Sequence, residues 1–460
     1  MNQQLVFDFD LIKKYDQSGP RYTSYPTALQ FDDSFDSHAY TETARESNHS
    51  EKALSLYFHI PFCDTVCFYC GCNKIATKDR TKAQPYLDRV FQEMSLQSEL
   101  FDKERTVEQL HWGGGTPTFI SHAQMAELMQ KTADYFKLAD NDSGEYSIEI
   151  DPREATAETI KLLRELGFNR MSLGVQDFDH DVQVAVNRIQ TEEQTLTVLD
   201  SAREQGFRSV SIDLIYGLPF QSVKSFEKTL DKIINASPDR LSVFNYAHLP
   251  KIFKPQRRIN ESELPSAEEK LDILTMTADK LADAGYVYIG MDHFAKPDDE
   301  LAVAQRNGSL YRNFQGYSTH AECDLIGLGV TSIGMVGSTY SQNLKTLEEY
   351  YEAIDNNRLA VFRGLRLTRD DEIRRDVITN LICNFELIVD TIEKRWQISF
   401  SDYFADELQA LSVMIDDELV SCEPDKIEVL PKGRFLIRNI CMVFDIYMKQ
   451  QQKNSFSKVI

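Results

Sequence analysis

The stretch LSLYFHIPFCDTVCFYCGCNK, residues 54–74, joins an apolar run to a cluster of cysteines. Leu54 to Ile60 is rich in apolar and aromatic residues with partial alternation, the pattern of a strand with at least one buried face. Four of the eight cysteines of the chain follow within ten residues, three of them spaced Cys63-x3-Cys67-x2-Cys70, with Cys72 close behind. The cysteines therefore hang from a strand end, where a loop can curl its sulfurs toward one centre.

Three arrangements compete for these thiols. A disulfide framework suits short secreted domains, and this chain is long, with no basic-then-apolar leader. A structural zinc site calls for two ligand pairs about 15–20 residues apart, or cysteines mixed with a spaced histidine pair; neither pattern is present, and zinc stands second. A cubane iron–sulfur cluster fits best, because cysteines two and three residues apart can wrap four irons and four sulfides.

At 460 residues, 42% hydrophobic and 11% aromatic, the chain can bury a large core in two or three domains. No run of 18 apolar residues exists, so no membrane span and a cytoplasmic location are expected. The remaining cysteines, Cys323, Cys383, Cys422 and Cys441, stand singly in apolar surroundings and are expected reduced and packed. With 50 basic against 72 acidic residues the net charge is −22, which argues against nucleic acid as a partner. An anionic substrate would need positive charge gathered locally, since contacts within a few Å outweigh charges beyond a Debye length of about 8–10 Å.

Residues 1–50 read as an arm, biased to extended or turn conformations by Gly19-Pro20 and Tyr25-Pro26. The arm reads first as a strap packed on the barrel; read as a lid, it would have Arg21 offer a carboxylate its fork and Tyr22 an aromatic face. From about 52 to 300 short apolar runs alternate with helical segments, giving candidate strands at 54–60, 108–113, 145–150, 169–174, 209–215, 241–247 and 286–292. That alternation implies a parallel sheet with helices outside, and six such units make an open (β/α)6 partial barrel rather than a closed eightfold one. Residues 51–361 are assigned to this barrel with an extension, and 362–460 to a small, mainly helical domain. There, Thr368-Arg369-Asp370-Asp371 reads as a helix start, and a short strand is expected near 426–430 before a helix from about 433. The acidic balance makes this domain a cover over the barrel mouth rather than a DNA binder.

The strand ends carry polar groups that a core does not need. Gly113-Gly114-Gly115-Thr116 closes the second strand, Glu149 and Asp151 the third, Gln176 the fourth, Asp213 the fifth and Asn245 to His248 the sixth, with Arg188 in the helix region after the fourth. Each alone reads as a solvated cap. Their succession marks the mouth of a site.

The cysteine spacing, with Tyr69 before the last ligand, resembles the signature of the radical S-adenosylmethionine (SAM) enzymes. PRYTSYPTA (20–28), HIPFC (59–63), CGCNK (70–74), HWGGGTPT (111–118), GVQDF (174–178), DLIYGLP (213–219), SVFNYAHLP (242–250), GMDHFA (290–295) and RNFQGY (312–317) are similar to the oxygen-independent coproporphyrinogen III oxidase family within them. The resemblance implies a 4Fe-4S cluster on Cys63, Cys67 and Cys70, with Cys72 outside the ligand set, and a SAM chelated by the open iron. It places Tyr57, Gly114, Glu149 and Ile333 against that SAM. Tyr69, Gly115, Thr116, Gln176, Arg188, Asp213 and Ala247 would hold a second. It reverses the balance for the arm, which becomes part of the active site.

The implied reaction is oxidative decarboxylation of two propionates of coproporphyrinogen III to vinyl groups, started by a 5′-deoxyadenosyl radical and fed by a low-potential electron donor. For the propionates the candidates are Arg21, Tyr22, Arg257, Arg258 and Arg312, each otherwise a solvated surface residue. A related branch carries haem instead; it lacks the PRYTSYP arm and has Asp-Phe where this chain has Gly71-Cys72-Asn73. An acting monomer is the expectation.

Overall fold

The structure, a computed structural model, describes residues 5–320 and 322–449. Its compact units are discontinuous in sequence, unlike the contiguous segments 1–50, 51–361 and 362–460. One contains Phe31–Ser266 and Glu322–Arg366; the other contains the described residues of Met1–Gln30, Ala267–Ala321 and Leu367–Ile460.

The first unit is built on six parallel strands, β1 (Leu54–Ile60), β2 (Thr106–Gly114), β3 (Glu145–Ile150), β4 (Arg170–Gln176), β5 (Ser209–Tyr216) and β6 (Arg240–Asn245). They pair in chain order. Helices α1 (Ala83–Ser98), α2 (His122–Tyr135), α3 (Ala157–Glu165), α4 (Glu192–Glu204) and α5 (Val223–Ala236) connect them. Four of these start on capping boxes, Ser121 with Gln124, Thr156 with Thr159, Thr191 with Gln194 and Ser222 with Ser225, so orphan N–H groups are met at each return to the sheet. In α5, Phe226, Thr229, Leu230 and Ile233 are buried, one face at helical spacing. The partial alternation of β1 has a simple cause: six of its seven residues are buried, as in a strand covered on both faces.

The other edge of β1 is extended by strands that the sequence pattern does not reveal. β7 (Asp324–Leu328) runs parallel to β1, and β8 (Ile333–Val336), β9 (Thr339–Asn343) and β10 (Val361–Arg366) continue antiparallel, leaving the sheet open. β7 is disguised by the charge at its start. Asp324 is 2% exposed because Arg105 meets it at 2.5 Å and the Gly337 N–H donates to it at 2.9 Å.

The strand expected at 286–292 is shorter, Val287–Gly290, and antiparallel to His293–Ala295. Gly290 at φ +136° and Met291 at φ +56° turn the chain back there, so it belongs to a hairpin of the second unit rather than to a seventh parallel strand. In that unit the helix Arg369–Asn384 starts at Thr368, whose side chain and Asp371 form the capping box. Lys426–Val429 is the centre of a three-stranded sheet, and the helix expected from about 433 begins at Ile437 after a turn at Pro431–Gly433. The arm is not merely extended: it holds helices at Phe9–Lys14 and Ser37–Ser47, each capped by an aspartate, Asp8 and Asp36. All eight cysteines are free. Among the described residues no helix is long and apolar enough to cross a membrane.

Candidate active site at the strand ends

The cysteine loop leaves β1 and closes on itself. Phe62–Cys63 pairs in parallel with Ile75–Ala76, and the Thr77 N–H donates to the Cys63 carbonyl at 2.9 Å. Each of the three spaced sulfurs meets a donor. Thr116 Oγ1 donates to Cys63 Sγ at 3.5 Å, Arg188 Nη1 to Cys67 Sγ at 3.5 Å, and the Cys72 N–H to Cys70 Sγ at 3.4 Å. Arg153 adds a second guanidinium contact to Cys67 at 3.8 Å. A hydrogen bond from Cys72, helped by Lys74, pushes Cys70 down to about 5 and Cys72, the proton donor, up; burial pushes Cys63 up to about 11.

Around the loop the strand ends converge. The Tyr57 ring stacks on His111 at 5.8 Å, and its hydroxyl lies 3.1 Å from His59 Nδ1. Glu149 accepts from the Gly114 N–H at 3.1 Å and faces His111 Nε2 at 3.4 Å. Burial alone would raise this carboxyl, but His111 and the Gly114 N–H hold it below the usual range. Gly114 sits at φ +113°, and a Cβ at Gly115 would fall 2.7 Å from the Phe62 carbonyl, so the second strand end must be side-chain-free for the loop to pass. Ile333 lies over Gly327, the register partner of Tyr57.

On the far side Arg188, 6% exposed, pairs with Asp151 at 3.0 Å and donates to the Gly174 carbonyl. Arg153 holds the same aspartate at 2.7 Å. Asp213 accepts from Ser172 at 2.7 Å, and burial pushes it up to about 6. Gln176 sits at φ +71°. Tyr69 and Ala247 are tied together by Gln256, whose Nε2 donates to their carbonyls at 2.8 and 3.2 Å. Sequence reasoning fixed on the charges of the KPQRR run and passed over its buried member. Gln256 is 2% exposed, whereas Arg257 is exposed on the Pro250 carbonyl and Arg258 stacks on Phe68 at 5.1 Å.

Residues 57–233 match the model of the Radical SAM superfamily. Over 460 residues, the whole of both chains, the protein is 53% identical to the oxygen-independent coproporphyrinogen III oxidase of Pseudomonas aeruginosa. The chain belongs to the oxygen-independent coproporphyrinogen III oxidase family. The Escherichia coli oxidase is 52% identical over 459 residues, covering 100% of this chain and 99% of that one. The solved structure of the coproporphyrinogen III oxidase from Escherichia coli, described as a radical SAM enzyme, superposes with a TM-score of 0.92 at 52% identity, covering 97% of this chain and 100% of that chain.

A member of this family carries a 4Fe-4S cluster and SAM, and the residues fit both. The donors to the sulfurs suit thiolates in a cluster, whose charge they offset. Polar atoms wait at the mouth: Gln176 Oε1, Arg188 Nε and Asn245 Oδ1 are buried without a hydrogen-bond partner among the described residues.

The remaining sequence-selected residues lie in the second unit. Arg21 pairs with Asp292 at 2.9 Å. Tyr22 is 4% exposed and its hydroxyl donates to Asp445 at 3.0 Å, so it pins the arm and offers no open aromatic face. Arg312 is buried against the Tyr317 ring at 4.7 Å.

Proposed function

We propose that the chain decarboxylates two propionate side chains of coproporphyrinogen III to vinyl groups, giving protoporphyrinogen IX. The observation that carries this reading is the cysteine loop at the end of β1, its three sulfurs each met by a donor, within a chain 53% identical to an oxidase of that name over its whole length. Cys63, Cys67 and Cys70 are assigned to the cluster; Tyr57, Gly114, Glu149 and Ile333 to the SAM on it; and Tyr69, Gly115, Thr116, Gln176, Arg188, Asp213 and Ala247 to a second SAM. When bound, cluster and SAM would supply a primary carbon radical able to take hydrogen from the strong C–H bond beside the ring, and the substrate radical would then lose CO2 and pass one electron to an external acceptor to leave a vinyl group.

The chain's own residues bind, orient and exclude. Glu149, kept ionised by Gly114 and His111, presents a carboxylate suited to an ammonium group. Arg188, fixed by Asp151, keeps its Nε for a carboxylate. Asp213 suits ribose hydroxyls. The buried cluster of Val182, Val186, Leu218, Tyr246 and Ile259, with Phe68 and Tyr69 packed on it, keeps water from one wall.

The test is an anaerobic assay of the reconstituted protein with coproporphyrinogen III, SAM and a strong reductant, following protoporphyrinogen and 5′-deoxyadenosine together. Both products are expected, and both should vanish in Cys63→Ala. SAM cleavage without loss of a propionate from the substrate would sink the assignment.

A further inference from the structure

Arg312 is 8% exposed, and its Nε and Nη1 have no hydrogen-bond partner among the described residues. A guanidinium stays protonated, so leaving it buried and unmatched is costly unless an anion meets it. The side chain is held in place by Tyr317, its partner across the hairpin of Tyr311–Asn313 and Gly316–Ser318. The turn of that hairpin holds a second buried donor in the same condition, Gln315 Nε2.

Two more arginines share the region. Arg438, on the helix Ile437–Val443 and 4% exposed, donates Nε to the Pro20 carbonyl at 2.8 Å and Nη2 to that of Gly19. The next residue of the arm is Arg21, on Asp292 at 2.9 Å. Asp292 adjoins His293, whose ring meets Tyr317 edge-on at 5.1 Å. Burial, then the like charge of Arg21 and further that of Arg312, pushes Arg438 down to about 10, so the three guanidiniums lie within electrostatic reach of one another. Asp292, engaged by Arg21, offsets only part of this charge. Two of the three, Arg312 and Arg438, are buried while Arg21 is partly exposed, and in a chain of net charge −22 such a local surplus of cations calls for a ligand.

We infer that Arg312, with Arg438 and Arg21 around it, forms a buried site for one carboxylate of the substrate. The inference rests on the reading of that substrate as a tetrapropionate porphyrinogen and names the cations that take one propionate. Arg312 supplies unmet donors on two edges of its guanidinium, Nε and Nη1, at a buried position where a charge-assisted hydrogen bond is strong. Arg438 acts mainly by position, tying the arm at Gly19-Pro20 so that Arg21 stands beside the site, and its charge adds to the attraction.

The experiment compares coproporphyrin III, the stable oxidised tetracarboxylate, with its tetramethyl ester, each titrated into the full-length protein and read by the shift of the porphyrin absorption band. Wild type is expected to bind the acid and to discriminate against the ester. Arg312→Gln should weaken the acid by roughly 30-fold or more, as for the loss of one member of a buried ion pair, and leave the ester unchanged. Arg312→Met should also raise the melting temperature of the ligand-free protein, because it removes an unmatched buried charge; a purely structural arginine would lower it. Acid affinity unchanged in both Arg312→Gln and Arg438→Gln, or no binding of the acid by wild type, overturns the site, and conversion of substrate by wild type then leaves the proposed function standing. If wild type converts nothing yet binds the acid through Arg312, the anion site stands and the function falls.

Discussion

Arg188 and Arg312 are guanidiniums of nearly the same burial, 6% and 8% exposed, in opposite electrostatic circumstances. Arg188, in the loop before α4, has Asp151, the Gly174 carbonyl and a cysteine sulfur around it. Arg312 has an aromatic face, the charge of Arg438 nearby and two N–H groups unmet. The first has its counter-charge within the chain, in Asp151, and keeps only its Nε unmet. The second is complete only when something anionic arrives, so burial by itself says little about a charged residue's role until its partners are counted.

The most drastic way to probe the matched side is Cys67→Ala, which removes the sulfur that Arg188 and Arg153 both face. Iron content by colorimetric assay should fall sharply, and product formation should drop by about a thousandfold or more. Substituting the two arginines by methionine tests the contrast directly. Arg188→Met leaves Asp151 with Arg153 alone and should cost about 2–3 kcal/mol in denaturant unfolding. Arg312→Met should stabilise by about 1 kcal/mol; equal losses in the two variants would dissolve the distinction. Glu149→Gln, which removes a charge held by Gly114 and His111, should weaken SAM binding about tenfold by equilibrium dialysis while iron content stays at the wild-type level.

The smallest effect concerns Asp213. Burial raises it from 3.8 to about 6 against its hydrogen bonds from Ser172 and Ser242, with the Glu149 charge adding to the rise and Arg188 opposing it. The folded protein holds this proton more tightly than the unfolded chain. Its contribution to stability is therefore full below pH 3.8 and is lost as pH rises through about 6. Asp213→Asn should remove that slope, so its melting temperature should gain on wild type between about pH 4 and 6.5. Parallel pH profiles would show that Arg188 neutralises Asp213 more than burial raises it.

The parallel strands and their helices were legible because each carries its own local signal, an apolar run with a polar end and then a segment of helical periodicity, and four of the five helices start on a Ser or Thr cap. β7 was not, because its first residue is a carboxylate whose burial depends on Arg105, more than two hundred residues earlier in the chain. The helices of the arm were missed for a similar reason, since Asp8 and Asp36 are short caps in polar surroundings. In the site, the glycine run, Glu149 and Arg188 announced themselves by type and place, whereas Gln256 lay hidden between louder charges.

By itself, then, the sequence determined the parallel α/β architecture, the cysteine spacing and the family, since periodicity, caps and short spacings act between near neighbours in the chain. Only the tertiary structure decided which buried charges are satisfied. Arg188 meets Asp151 across 37 residues, Arg21 meets Asp292 across 271, and Arg438 reaches Pro20 across 418. Whether a guanidinium finds its anion over such separations depends on how the elements pack, because in a low-dielectric interior a few Å separate a satisfied pair from an open binding site.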